Sequence, residues 1–156
     1  MTGLSTPAGL GFSRSGQLQI ANRRTNQILE VTDEGKLRVV IDDLHTLVGV
    51  VQTKAGGYVV SNIDGGITII RPDGHRIEAG AAFIKPGPGI VITKDERVFV
   101  VDYGGTTIRE IMGSGTSRII VDGLKSPVGL VVSQDEKSLL TATWGDGAIY
   151  RIDIEK

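Results

Sequence analysis

Amide and carboxylate side chains recur at a spacing of 40 residues, at Asn22, Asn62 and Asp102. Two further carboxylates, Asp64 and Asp146, follow closely after such positions. Side-chain oxygens of these types are the ligands that a hard cation such as calcium uses in proteins. The spacing therefore predicts a site for calcium or another divalent cation at Asn22, Asn62 and Asp102, although no cofactor is certain from the residues alone. The alternative is that these side chains hydrogen-bond their own loops, as Asn and Asp do in Asx-turns.

The same stretches contain side chains suited to holding an organic ligand. An aromatic ring can stack on a sugar or a planar group, and an arginine can pair with an anion. The alternatives are that Trp144 packs against neighbouring loops and that the arginine is simply solvated. The residues predicted to bind a ligand are Arg23, Asp64, Tyr103, Trp144 and Asp146.

The sequence offers no catalytic set. The only two histidines, His45 and His75, are predicted to lie on opposite faces of the fold, so they cannot act together as a general acid and base. No glycine-rich phosphate loop, serine elbow or HExxH motif is present. The catalytic residues, if there are any, are therefore unknown.

Composition indicates that β-strands must position these side chains. The 156 residues include 22 Gly, which favours many tight turns, and 16 Val, 18 Ile and 13 Thr, which fit strands better than helices. A formal net charge of −1 argues against binding to nucleic acid. The apolar runs are far shorter than a membrane helix, and the first residues do not resemble an export signal. We therefore expect a cytoplasmic protein with no nucleic-acid or membrane partner.

A repeat of 40 residues runs through the chain. It is marked by glycine at 9, 49, 89 and 129 and by a hydroxyl residue at 13, 53, 93 and 133. The position of Asn22, Asn62 and Asp102 is expected to end a strand, and Ala142 is expected to hold it in the fourth unit. One added residue is expected beside Trp144. Glu30 with Arg38, and Glu110 with Arg118, are expected to form cross-strand pairs.

Each unit predicts four short antiparallel strands, which is the pattern of a β-propeller blade. The expected fold is an all-β propeller, a single domain over 1–156. Its blades are expected at about 5–44, 45–84, 85–124 and 125–156.

Two stretches resemble known propeller families. The segment 126–140, which begins Ser-Pro-Val-Gly-Leu, and the segment 97–104, Arg-Val-Phe-Val-Val-Asp-Tyr-Gly, are similar to NHL repeats and to gluconolactonase and senescence-marker-protein propellers. The resemblance to gluconolactonases implies a divalent ion at the channel mouth, with Asn62 and Asp102 as matching ligands. The family's glutamate on an early inner strand has no counterpart in Gly9–Phe12. Streptogramin lyases, which are also similar, need a histidine pair that this chain does not supply.

The repeat leaves the last blade without its outer strand, because the third strand, 149–154, is followed by only two residues. Met1–Leu4 aligns with Val121–Leu124, the tail of an outer strand, and is too short to replace it. We therefore expect two chains to complete an eight-bladed ring, each forming one half. The competing interpretations are a closed ring of four blades and a half cut from a longer propeller.

Two functions remain open on these grounds. The first is a non-enzymatic NHL-like binding and assembly module, a homodimer with a small-molecule or protein ligand on the loop face. The alternative is a divalent-metal-dependent lactonase, similar to gluconolactonases.

Overall fold

The computed structural model describes residues 2–154. These residues form four antiparallel sheets, and a single 3-10 turn at Arg23–Thr25 is their only helical element. The expected all-β propeller with a three-stranded last blade is confirmed. No helix among the described residues has the length and apolar character needed to span a membrane. The expected alignment of Met1 and the last two positions of the fourth blade, 155–156, lie outside the described residues.

Each sheet is a meander of consecutive strands. Sheet 1 contains β1 (Pro7–Phe12), β2 (Leu18–Asn22), β3 (Gln27–Val31) and β4 (Leu37–Ile41). Sheet 2 contains β5 (Leu47–Gln52), β6 (Tyr58–Asn62), β7 (Gly66–Ile70) and β8 (Arg76–Ala79). Sheet 3 contains β9 (Pro86–Ile92), β10 (Val98–Asp102), β11 (Ile108–Ile111) and β12 (Ser117–Val121). Sheet 4 contains β13 (Pro127–Val132), β14 (Ser138–Thr143) and β15 (Ala148–Asp153).

The antiparallel order places the connections alternately on two faces of the molecule. One face, here the loop face, holds the loops between second and third strands and the connections between sheets. The opposite face, here the turn face, holds the other hairpin turns. His45 precedes β5 and so lies on the loop face, whereas His75 lies in the turn between β7 and β8 on the turn face. The expected separation of the two histidines is confirmed.

The added residue of the fourth repeat lies in a turn on the turn face. In sheet 3 the Thr93 amide donates to the carbonyl of Arg97, four residues later. In sheet 4 the equivalent Ser133 amide donates to the carbonyl of Ser138, five residues later, so this turn is one residue longer. Thr143 is therefore the strand-end residue, and it pairs with Pro127 as Asn22 pairs with Pro7. The predictions of Ala142 at this position and of an insertion beside Trp144 are wrong. Tight turns on both faces carry similar Gly, Asp and Ser residues, so composition did not locate the extra one.

The hydrophobic core lies between the sheets. In sheets 2 and 3 the second strands, β6 and β10, are almost entirely buried because each of these sheets is covered by a neighbour on either side. Three clusters of buried side chains result, one at each junction between consecutive sheets.

Glycine on the innermost strand allows consecutive sheets to approach closely. A Cβ atom at Gly9 would lie 2.3 Å from the Val48 carbonyl oxygen, and one at Gly89 would lie 2.4 Å from that of Val128. Gly129 is different, because a Cβ there would meet only the Ala142 Cβ of its own sheet, at 3.6 Å. No sheet of the described residues covers the fourth sheet at this position.

Candidate functional site

The residues predicted to bind a cation occupy equivalent strand ends on the loop face. Asn22 ends β2, Asn62 ends β6 and Asp102 ends β10, and all three are buried. Thr143 holds the fourth position, where its hydroxyl donates to the Asp146 carboxylate. The register thus supplies two amides, one carboxylate and one hydroxyl.

Two of these side chains hold the segment that leads into their own sheet. The Asn22 Oδ1 accepts a hydrogen bond of 2.8 Å from the Ser5 amide. The Asp102 Oδ1 accepts one of 2.8 Å from the Lys85 amide, and its Oδ2 accepts one of 3.0 Å from Ile84. The bonds cross to a different segment of chain, so they fix the geometry of the connections as well as that of the local loop.

Asn62 departs from this arrangement. Its Nδ2 donates to the Thr68 hydroxyl at 2.8 Å, and that hydroxyl donates to Glu78 at 3.0 Å. Its Oδ1 is buried and has no hydrogen-bond partner among the described residues. A buried amide oxygen without a partner is costly, because it loses the hydrogen bonds that water would give it. Asn62 is therefore the position in this register with an acceptor still available.

Within residues 2–154, no group of three or more His, Cys, Asp or Glu side chains is arranged to hold a metal ion. Of the three side chains at Asn22, Asn62 and Asp102, two would offer a neutral amide oxygen and only Asp102 would offer a carboxylate. The cation site therefore stays a prediction.

The residues predicted to bind an organic ligand lie on the loop face, in the loops between the second and third strands of the four sheets. The rings of Tyr103 and Trp144 meet edge to face, with centroids 5.9 Å apart, and Trp144 is 70% exposed. The Asp64 carboxylate lies 3.8 Å from the Lys85 ammonium group. Arg23 lines a shallow depression with Thr6, Arg24, Asn26 and Thr46.

Asp146 is held in place by two hydroxyl groups. Hydrogen bonds from Thr143 and then Tyr150 lower the pKa of its carboxyl group, and the bond to Asp146 raises the pKa of the Tyr150 hydroxyl. The Tyr150 bond is 2.7 Å long. Asp146 therefore stays ionised near neutral pH beside the exposed Trp144 ring.

The turn face has a ladder of contacts that the sequence analysis missed. The amide nitrogens of Arg14, Lys54 and Lys94, spaced 40 residues apart, each donate to a side-chain oxygen of the next sheet. Glu96 and Glu136 supply two of these acceptors from backbone conformations with φ of +70° and +58°. Glutamate at positions where the first two repeats have glycine was a signal in the sequence that could have revealed this role.

The first and last sheets present apolar side chains that their equivalents bury. Ile28, Ile67 and Ile108 are fully buried, but Ile149, at the same register, is 71% exposed. Leu10 is 67% exposed, although Val50, Ile90 and Leu130 at its register are buried. In a closed four-bladed ring these two residues would cover each other, so the four sheets form an open arc.

Solved structures of several proteins share this fold. A gluconolactonase from Xanthomonas campestris is 14% identical, with a TM-score of 0.82, over 98% of this chain and 60% of its own. The virginiamycin B lyase from Staphylococcus aureus is 17% identical, with a TM-score of 0.69, over 97% of this chain and 57% of its own. The chain is similar in fold to gluconolactonase-like β-propellers. The hydrazine synthase from Kuenenia stuttgartiensis is also similar, at 22% identity and a TM-score of 0.74, over 97% of this chain and 47% of its own.

At these identities the similarity concerns the fold alone, and the matched proteins have unrelated activities. The chain spans about half to three fifths of the length of these structures. No family profile and no curated protein matches the sequence.

Proposed function

We propose that the chain is a propeller binding and assembly module that closes its open arc with a second copy of itself. The observation that carries the proposal is the paired exposure of Ile149 and Leu10 at the two ends of the arc. Exposed apolar sheet faces of this kind mark association sites.

The repeat defines how the two copies would fit. At each internal junction, the isoleucine of one sheet belongs to the same buried cluster as a side chain at the Leu10 register of the next sheet. These pairs are Ile28 with Val50, Ile67 with Ile90, and Ile108 with Leu130. Continuing the series places Ile149 against Leu10 of a second copy.

The backbone supports the same arrangement. Gly89 accommodates the Val128 carbonyl oxygen of the following sheet, and the next pair in the series is Gly129 with Ala8 of a second copy. A two-fold axis would create two such junctions, and the resulting ring would have eight blades.

The solution mass tests this proposal. We expect light scattering on a sizing column at micromolar concentration to give twice 16.6 kDa. Ile149→Asp should give a monomer, because a carboxylate would be buried without a partner at the junction. The matched control is Ile119→Asp, because Ile119 is also exposed but lies on β12 of sheet 3 and not on either terminal sheet. A monomeric wild-type chain at this concentration would refute self-association.

A divalent-metal-dependent hydrolase similar to the gluconolactonases is the second candidate. The specific observation in its favour is the buried Asn62 Oδ1, which has an acceptor site open in the same register as Asp102. An ion at these strand ends would supply a Lewis acid to polarise a lactone carbonyl. Within this chain, Asn22, Asn62 and Asp102 are the residues that would hold it.

A thermal-shift series with calcium, zinc and EDTA tests the second candidate. An ion at 100 times its Kd stabilises the folded state by about 2.7 kcal/mol, which raises Tm by several degrees. The shift should disappear in Asp102→Ala and persist in Asp73→Asn, a substitution in an exposed turn on the opposite face. Identical melting temperatures with each ion and with EDTA would leave the hydrolase without a metal.

A further inference from the structure

An open cavity lies between sheets 2 and 3, beside the loop that joins β6 to β7. Its volume of about 450 Å³ is within the range of about 300–1,000 Å³ that is typical of small-molecule sites. The connection from β8 to β9 forms another of its walls. Sheets 2 and 3 each have four strands and a neighbouring sheet on either side, so the cavity involves neither end of the arc.

The connection between β8 and β9 differs from the two equivalent connections. It has six residues, 80–85, whereas 42–46 and 122–126 have five residues each. In the five-residue connections, the amides of Leu44 and Leu124 donate to the loop of the preceding sheet, at 3.1 and 2.9 Å. Both leucine side chains are buried, and each belongs to the apolar cluster of its junction.

The longer connection does not dock in this way. The Phe83 amide donates to the Gly80 carbonyl, and the Ile84 amide donates to the Asp102 carboxylate. Neither amide bonds to the loop of sheet 2. Phe83 is only partly buried and Ile84 is 71% exposed, so the space between this connection and the loop stays open.

Sheet 2 also places a carboxylate where the other four-stranded sheets have an apolar side chain. Glu78 on β8 pairs across the sheet with Thr68 on β7. The fourth-strand residues at the same register are Val39 in sheet 1 and Ile119 in sheet 3. Glu78 lines the cavity, so the exchange of an apolar residue for a charged one coincides with the open space.

Buried hydrogen bonds hold the Glu78 carboxylate from one side. The buried Thr68 hydroxyl donates to its Oε2 at 3.0 Å and accepts a bond of 2.8 Å from the Asn62 Nδ2. The Oε1 atom of Glu78 has no hydrogen-bond or ion-pair partner among residues 2–154. Asp64, the other carboxylate of the lining, lies 3.8 Å from the Lys85 ammonium group. Glu78 is therefore an oriented carboxylate with one oxygen available to a cation.

The rest of the lining is mostly apolar. The Arg109 guanidinium lies 5.7 Å from the centroid of the Phe83 ring, a contact that helps to fix the ring in the cavity wall. The larger apolar residues of the lining are Ile63, Phe83, Ile84 and Pro86.

We propose that this cavity binds a small organic ammonium ion. Its charged end lies on the Glu78 carboxylate, and its apolar body lies against Phe83 and Ile84. A cation suits the site because both carboxylates of the lining attract it, whereas an anion would be repelled by them.

Two small molecules of the same shape test the charge. Phenethylammonium carries the ammonium group, and 2-phenylethanol has a hydroxyl in its place. We expect phenethylammonium to bind with a Kd on the order of 1 mM, as suits a ligand of this size, and 2-phenylethanol to bind at least about tenfold more weakly. Amide chemical shifts in a nitrogen-15 NMR titration with EDTA present measure both, and residues 63–66 and 78–84 should shift.

Variants of the chain test the residues. Glu78→Gln should raise the Kd of phenethylammonium about tenfold, because the side chain still accepts the Thr68 bond but loses its charge. Glu34→Gln, an exposed carboxylate elsewhere, is the matched control and should leave the Kd unchanged. Ile84→Ser should weaken binding about threefold through the lost apolar contact. Ile119→Glu places a carboxylate at the same register of sheet 3 without a cavity and should create no second site.

Four results would overturn the proposal. They are equal binding of the two molecules, an unchanged Kd in Glu78→Gln, a new site in Ile119→Glu, and no saturable shift up to about 20 mM phenethylammonium.

The cavity is independent of self-association. Leu10→Asp disrupts the junction between copies but lies on β1 in sheet 1, away from the cavity. Phenethylammonium should therefore bind this variant as it binds the wild-type chain. Loss of binding in Leu10→Asp would place the site at the junction and overturn its assignment to the cavity.

Discussion

At the scale of single residues, the Glu110 carboxylate pairs with two arginines, Arg97 and Arg118. Hydrogen bonds first from Arg97 and then from Arg118 lower its pKa. The Arg97 guanidinium also lies over the Phe99 ring, 4.9 Å from the centroid. Glu110 on β11 therefore joins this strand to β12 and to the residue just before β10, and its charged form stabilises the folded state.

Glu110→Gln should make the stability of the protein less dependent on pH in the acid range. The folded-state pKa of Glu110 is lowered, so its contribution is complete above the unfolded-state pKa of about 4.3 and is lost as the pH falls through the folded-state value. We expect a loss of about 2 kcal/mol in the free energy of unfolding at pH 7, with the difference from wild type shrinking toward pH 3.

Urea unfolding at pH 7, 4.5 and 3 measures this effect. Glu34→Gln is the control, because the ion pair between Glu34 and Lys36 is exposed and should contribute little. A constant difference between Glu110→Gln and wild type at all three pH values would contradict the assignment.

At the scale of elements, the innermost strands pack through glycine, and the last of these glycines is not covered. Gly89→Ala would place a Cβ atom 2.4 Å from the Val128 carbonyl oxygen. We expect it to lower the free energy of unfolding by about 1–3 kcal/mol, as overpacking does. Gly129→Ala should leave the unfolding of the separate chain nearly unchanged, because only the Ala142 Cβ lies nearby.

The effect of Gly129→Ala on self-association tests where the two copies meet. If Gly129 faces Ala8 of a second copy, Gly129→Ala should raise the Kd of the dimer, as measured by analytical ultracentrifugation. Gly129→Ala chains that dimerise as tightly as wild type would place the junction elsewhere.

At the scale of the whole molecule, the proposed ring requires the Ile149 end of one chain to meet the Leu10 end of the other. Leu10→Asp and Ile149→Asp should both be monomeric alone, because every junction of a homodimer would contain one aspartate. A mixture of the two has one junction with both native residues, Leu10 from one chain and Ile149 from the other. We therefore expect the mixture to form a dimer, with weaker affinity than wild type because only one junction is intact.

Light scattering on the mixed and the separate variants checks this expectation. A mixture that remains monomeric, alongside a dimeric wild-type chain, would show that the two residues do not meet across the interface.

The sequence by itself determined the repeating architecture. The 40-residue spacing of Gly9, Gly49 and Gly89 predicted four short strands in each unit, since turn residues and apolar strands are set by local chemistry. It also predicted the pairing of Glu110 with Arg118, because residues joined by a tight hairpin can face only a few partners.

The tertiary structure decided the features that depend on contacts between sheets. The turns of the repeat are similar in composition, so the position of the added residue in the fourth repeat could not be read from the sequence. The pairing of Pro127 with Thr143 shows where it lies. The sequence could not tell that the Asp102 oxygens bind the Ile84 and Lys85 amides, because those bonds join separate segments. The exposure of Ile149 likewise depends on how the sheets are arranged, since the same residue type is buried wherever a neighbouring sheet covers it and no sheet of the described residues covers this face of sheet 4.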